Sequence, residues 1–250
     1  MSENNITVKL YDDDIGHVSL VQSMGDELTI VNSARVSFGV EKQELDDRDR
    51  KLIKYLIKHR HTSTLEHNFA TFLIEVPLFI RSQHHRHRTW SYNEISRRYT
   101  DYDMKFYYPS SFRMQSSSNR QASTDDLVNP NIFTGFGGEG SASDVVREHC
   151  NDSLELYEKL IKGGVAREQA RMILPQNLYT KYYATANLNN ILKFIDLRIH
   201  EGAQWEIQQL AKGMLEIIVN VWPFATNAYR EINSHYLIII YIRGDYMTDM

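Results

Sequence analysis

Cysteine is almost absent from this chain: Cys150 is the single one among 250 residues. That count excludes a disulfide framework and a thiolate metal cluster, and it makes a reducing cytoplasm the default compartment. Excess charge of one sign is missing too. With 28 Lys and Arg against 32 Asp and Glu, the formal net charge is -4. There is no general basic field for a nucleic acid, so no nucleic-acid partner is expected. Long apolar runs are also lacking. The most apolar window, Tyr236 to Ile242, is too short to span a bilayer, and no apolar stretch follows Met1-Ser2-Glu3-Asn4-Asn5 to suggest a signal peptide. No membrane partner is expected.

Several catalytic signatures are missing as well. There is no Gly-x-Ser-x-Gly turn for a serine hydrolase and no His-Glu-x-x-His metal pair. The glycine-rich run 135–140 follows no clear strand and ends in no Lys-Ser/Thr, so it reads as neither a Rossmann turn nor a phosphate loop. His59, His61, His67, His84, His85 and His87 crowd together in sequence, but arginine neighbours repel a cation, and no metal is expected.

What the chain does have is fixed chemistry concentrated between Arg86 and Tyr99, the string Arg86-His87-Arg88-Thr89-Trp90-Ser91-Tyr92-Asn93-Glu94-Ile95-Ser96-Arg97-Arg98-Tyr99. Guanidiniums stand at both ends, with a Glu, two serines and an Asn between them. Arginine keeps its proton and presents a planar fork of donors. Two such clusters around a carboxylate suit a small phosphorylated ligand, with the Glu taking sugar hydroxyls or orienting an Arg. The plainer reading is a solvated basic turn. The hydroxyls, the Asn and the Glu weigh against it, because a merely soluble face does not need them.

Periodicity supplies the framework. Residues 7–11 and 18–21 alternate as short strands, and 68–76 reads as a strand stopped by Pro77. Residues 25–34, 43–59 and 78–87 read as helices, the second acidic at its start and basic at its end, as the helix dipole favours. Residues 96–108 read as a further strand. Residues 110–143, rich in Ser, Asn, Gly and Asp, read as a flexible insertion. A long helix is expected over 142–162, stopped by Gly163-Gly164, with Cys150 on its buried face. Then come a short helix over 166–174, a strand over 178–185, and helices over 188–199 and 204–222, the last ended by Pro223. Helices and a few strands in irregular order predict one α+β domain with a small mixed or antiparallel sheet. The tail 232–250, with the apolar window 236–242, has no functional reading.

The string Arg86-His87-Arg88 followed by Ser91-x-Asn93-Glu94-x-Ser96-x-Arg98-Tyr99 resembles the signature of the flavin-dependent thymidylate synthases. Further segments resemble that family in the same order: 34–38, His61-x-Ser63-x-x-Glu66-His67, Ala170-Arg171-x-x-Leu174-Pro175, and Leu197-Arg198 followed by 203–208. The likeness covers residues 7–109 and 142–230.

The resemblance implies an α+β homotetramer with active sites shared between subunits. It implies methylation of dUMP to dTMP, with 5,10-methylenetetrahydrofolate as one-carbon donor and NADPH as reductant through bound FAD. Carried over by motif, Arg86, His87, Arg88, Ser63 and Glu94 contact FAD, with Ser37, His61 and Glu66 at the same cofactor and Asn187, Asn189 and Lys193 as further flavin contacts. The dUMP site takes Gln83, His84, His85, Arg86, Glu94, Ile95, Ser96, Arg97, Arg98, Arg171 and Arg198. Arg198 and Ser96 are the catalytic candidates. Arg198 stays protonated, so its expected role is to stabilise charge developing on the uracil ring. Ser96 has no activating base nearby in sequence and suits hydrogen bonding to the nucleotide. This chain departs from many relatives at Asn189, where Arg is common, at Lys193 in place of Asn or His, and at Ser63 in place of Thr. The rival reading is a non-catalytic nucleotide- or nucleic-acid-binding module built on the Arg/His/aromatic stretch.

Overall fold

The computed structural model describes residues 6–120, 122–134 and 138–233. Its centre is a five-stranded antiparallel sheet in the order β1-β2-β3-β9-β4. The strands are β1 (Thr7–Lys9), β2 (His17–Met24), β3 (Phe69–Pro77), β4 (Ser91–Glu94) and β9 (Tyr179–Asn187). β3 alternates buried and half-buried residues along its length, so Ala70, Phe72, Ile74 and Val76 all face the core. β9 does the same with Tyr182, Ala184 and Ala186.

The helices α1 (Glu27–Arg35), α2 (Asp47–Lys58), α3 (Leu78–His84), α6 (Leu188–Arg198), α7 (Trp205–Val221) and α8 (Pro223–Ile232) contribute to that core. α7 packs on the sheet through Ile207, Leu210, Met214 and Ile217, all fully buried. Gly213 permits the close approach: a Cβ there would lie 2.8 Å from Val18 Cγ1 and 2.9 Å from Leu10 Cδ2. A second, smaller core under α4 (Ala142–Lys162) holds Phe106, Cys150, Tyr157, Leu174 and Leu178. Cys150 is buried there beside the Asn177 side chain, as a small core residue.

Three expectations change. The strand expected over 96–108 is absent. The strand lies earlier, at β4 inside the arginine-rich string, and Phe106 makes only an isolated bridge to Leu178. The aromatic pattern that suggested a strand comes from Phe106 and Tyr107 filling the two cores. Pro223 does not end the helical run. It occupies the first turn of α8, where its missing N–H costs nothing. The segment 166–174 holds one helical turn, α5 (Arg167–Ala170), then a 3-10 turn over Arg171–Ile173.

The insertion 110–143 contains two hairpins, formed by β5 (Phe112–Gln115) with β6 (Ser123–Val128) and by β7 (Asn131–Phe133) with β8 (Glu139–Ser141). The apolar window Tyr236 to Ile242 lies outside the described residues.

Candidate active site

β4 pairs with β9 from Ser91 opposite Thr185 to Glu94 opposite Tyr182. The ladder ends where the Ile95 N–H bonds to the Lys181 carbonyl at 2.9 Å. The chain then turns, with Tyr99 N–H on the Ser96 carbonyl at 2.9 Å. That turn carries Ser96, Arg97 and Arg98 over a cleft of about 620 Å³ lined also by Glu94, Ile95 and, on the 3-10 turn after α5, Arg171. This volume lies in the range of small-ligand sites.

Four arginines (Arg81, Arg97, Arg98 and Arg171) line the cleft against two glutamates, Glu94 and Glu168. Arg98 is exposed, lies against the Tyr99 ring at 5.2 Å and bonds the Tyr99 hydroxyl at 3.3 Å. The Arg171 Nε donates to the Glu168 carbonyl at 3.3 Å. Neither guanidinium has a carboxylate partner among the described residues, so both forks are available to an anion. The half-buried Arg97 is engaged differently: Nη1 donates to the Tyr102 carbonyl at 2.8 Å, and burial lowers its pKa. The Ser96 hydroxyl accepts from the Arg98 backbone N–H at 3.3 Å and has no base beside it.

Arg198 does not line this cleft. At the last position of α6 its Nε donates to His87 Nε2 at 3.1 Å, and an Nη lies 3.5 Å from the Gln83 carbonyl. It borders a separate hollow of about 430 Å³ with Asp196, His200 and Ala203. His87 is an acceptor here, so its proton sits on Nδ1. Burial first, then the Arg198 charge, lowers its pKa to about 4. Gln83 is tied through its amide to Gln204.

His84, also expected at dUMP, does not line the cleft. It is fully buried, with its ring 2.9 Å from the Tyr182 hydroxyl at Nδ1 and packed on Trp90 and Phe194. It packs into the core at the end of α3. His85 is half-buried, its ring tilted 32° against the Tyr92 ring at 4.1 Å, outside the cleft lining. Burial lowers the pKa of both.

Of the residues expected at the flavin, Glu94 lines the cleft and His87 is paired with Arg198, while others lie toward the opposite end of β9. Ser37, His61 and Ser63 share a polar hollow of about 490 Å³, together with Arg60. Glu66 accepts from Asn189 Nδ2 at 2.8 Å, and Asn187 caps α6 by accepting from the Asn190 N–H at 2.9 Å. Lys193 is exposed on α6. Arg86 and Arg88 are exposed with no acidic partner among the described residues. A hydroxyl- and imidazole-lined hollow and two unpaired guanidiniums fit a cofactor carrying a diphosphate. Asn187 and Thr180 are seven residues apart on one strand, about 23 Å at 3.3 Å per residue, so the two ends of β9 are well separated within one chain.

Sequence reasoning missed Arg81, Thr180 and Arg60. Arg81 and Thr180 meet at Glu94 only because β4 pairs with β9. The one local signal for Arg60 was a basic residue at the end of a helix, where it takes a left-handed φ of 56°.

An antiparallel sheet with helices against it and an arginine-lined cleft at the edge strand define a single-domain α+β protein with a basic cleft. The family described as thymidylate synthase complementing protein matches residues 19–224. A flavin-dependent thymidylate synthase of Thermus thermophilus is 40% identical over 229 residues, 92% of this chain and 80% of that one. Another from Thermotoga neapolitana is 37% identical over 216 residues, 86% of this chain and 91% of that one. Among solved structures, the UMP/dUMP methylase PolB of Streptomyces cacaoi, bound with 5-bromo-dUMP, superposes with a TM-score of 0.71 at 32% identity, covering 86% of this chain and 94% of its own. The chain belongs to the flavin-dependent thymidylate synthase family.

Proposed function

We propose that this protein is a flavin-dependent thymidylate synthase that methylates dUMP to dTMP. 5,10-Methylenetetrahydrofolate is the one-carbon donor and NADPH the reductant. The observation that carries the reading is the convergence of Glu94, Ser96, Arg98 and Arg171 on one cleft, from segments more than 70 positions apart. Arg98 and Arg171 would hold the phosphate, Glu94 a sugar hydroxyl, and Ser96 would donate a hydrogen bond to the nucleotide. FAD, when bound, supplies hydride transfer. Ser37, His61, Ser63, Arg86 and Arg88 would hold it, with Glu66, Asn187, Asn189 and Lys193 at its edge. Arg198, fixed by the neutral His87, would stabilise negative charge developing on the pyrimidine.

Arg198 and the Arg171 cleft do not share a cavity in one chain. This supports active sites assembled from two copies within a homotetramer. The domain is single, with the 110–143 hairpins as an insertion, and the expected compartment is the cytoplasm. Among the described residues, no helix is long and apolar enough to cross a membrane.

Two readouts test the assignment. The purified protein incubated with FAD should retain a flavin absorption band, and it should oxidise NADPH faster when dUMP is added. A protein that stays colourless after FAD overturns the flavin assignment.

A further inference from the structure

Thr180 is 5% exposed in β9, yet its hydroxyl reaches the cleft and donates to Glu94 Oε1 at 2.6 Å. Arg81, in α3, approaches the same oxygen from another element, with Nε at 3.1 Å. That contact is an ion pair lying off the hydrogen-bonding direction, and the Arg81 Nε is buried with no other partner. Glu94 Oε1 is therefore held from two sides. Oε2 makes no hydrogen bond among the described residues. A carboxylate has roughly four acceptor positions on its two oxygens. Here one oxygen is committed to the wall of the cleft and the other is left open.

We propose that Arg81 and Thr180 are positioning residues of the nucleotide site, fixing Glu94 so that its second oxygen accepts a sugar hydroxyl of a nucleoside monophosphate. They thereby set how strongly the site demands that hydroxyl. This deepens the dUMP reading and rests on it. A free glutamate gives up rotamer freedom each time a ligand binds, whereas one already held does not. A hydrogen bond to an ionised acceptor is among the stronger ones. A site built to receive a hydroxyl discriminates against an analogue lacking it, because its acceptor is then left unpaired.

Equilibrium binding of dUMP and of 2′,3′-dideoxyuridine monophosphate, titrated into the full-length protein, tests this. The wild type should prefer dUMP by about tenfold or more. Thr180→Val, which keeps the shape and removes the hydroxyl, and Arg81→Met should each cut that preference to about threefold or less. Thr180→Ser should retain it. If both Thr180→Val and Arg81→Met keep the wild-type preference, whatever happens to absolute affinity, the two side chains serve only the fold and the proposal fails. A wild type that binds both nucleotides equally also overturns it. A wild type that binds neither overturns the dUMP reading itself. Should Thr180→Val not fold, as judged by circular dichroism, Arg81→Met decides.

Discussion

Arg198 and His87 form a pair that works in only one protonation state. The Arg198 Nε can donate to the ring at 3.1 Å only while His87 is neutral. Arg198→Lys keeps the charge but loses the planar fork that reaches both His87 and the Gln83 carbonyl. Turnover should fall by about two orders of magnitude while part of the dUMP affinity survives, as steady-state kinetics beside equilibrium binding would show. Unchanged turnover removes Arg198 from its role.

The same pair makes stability depend on pH. In the unfolded chain histidine titrates near about 6.5. In the folded protein burial holds His84 well below that value, and His87 is brought to about 4. Between those limits the unfolded state binds more protons, so stability rises with pH across that window and falls as pH drops from 6.5 towards 4. Urea unfolding of the wild type and of His87→Gln at pH 7, 5.5 and 4.5 should show a shallower dependence in the variant. The shared cleft of Glu94, Ser96 and Arg98 was legible at this scale, because the three lie in one short string. Arg81 and Thr180 were not, since their shared contact depends on strand pairing. The burial of His84 was not legible either, because adjacency to a motif does not say which way a helical side chain points.

Among the elements, α2 is tied to the loop before it by a buried carboxylate. Asp49 is fully buried, bonds Arg35 at 2.6 Å, is bridged by Lys42, and accepts from the Asp46 N–H at 3.1 Å. Asp46 in turn caps α2. These contacts hold the segment between Ser37 and Asp46 against α1 and α2, beside the hollow that contains Ser37 and His61. Those cations hold the Asp49 pKa well below the usual carboxylate range. Asp49→Ala removes the shared acceptor and should cost roughly 3 kcal/mol in chemical denaturation, with weaker FAD retention. Wild-type stability in that variant would show that the loop is held by other contacts.

Element type followed periodicity where one face is apolar, as in α2, α4, α7 and β3. It failed where aromatic residues serve irregular backbone, as at Phe106 and Tyr107. It failed again at Pro223, where a helix breaker in sequence is a helix starter in space.

At the scale of the whole molecule, the Arg171 cleft and the Arg198–His87 pair occupy separate hollows of one chain. If active sites draw on two copies, Arg171→Ala and Arg198→Ala should each be inactive. Refolded together, they should recover part of the activity, because mixed assemblies contain sites with both arginines intact. No recovery would mean that one chain supplies both. The ordered motifs made the family legible in the sequence, but the division between two hollows was not, since it depends on where α6 ends relative to α3.

The most direct measurement is dTMP formation by the purified protein from dUMP, 5,10-methylenetetrahydrofolate, NADPH and FAD, each left out in turn. The account predicts product only in the complete mixture, with flavin carried through purification as the one permissible substitute for added FAD. Product formed at full rate without any flavin, or no product from the complete mixture, would contradict it.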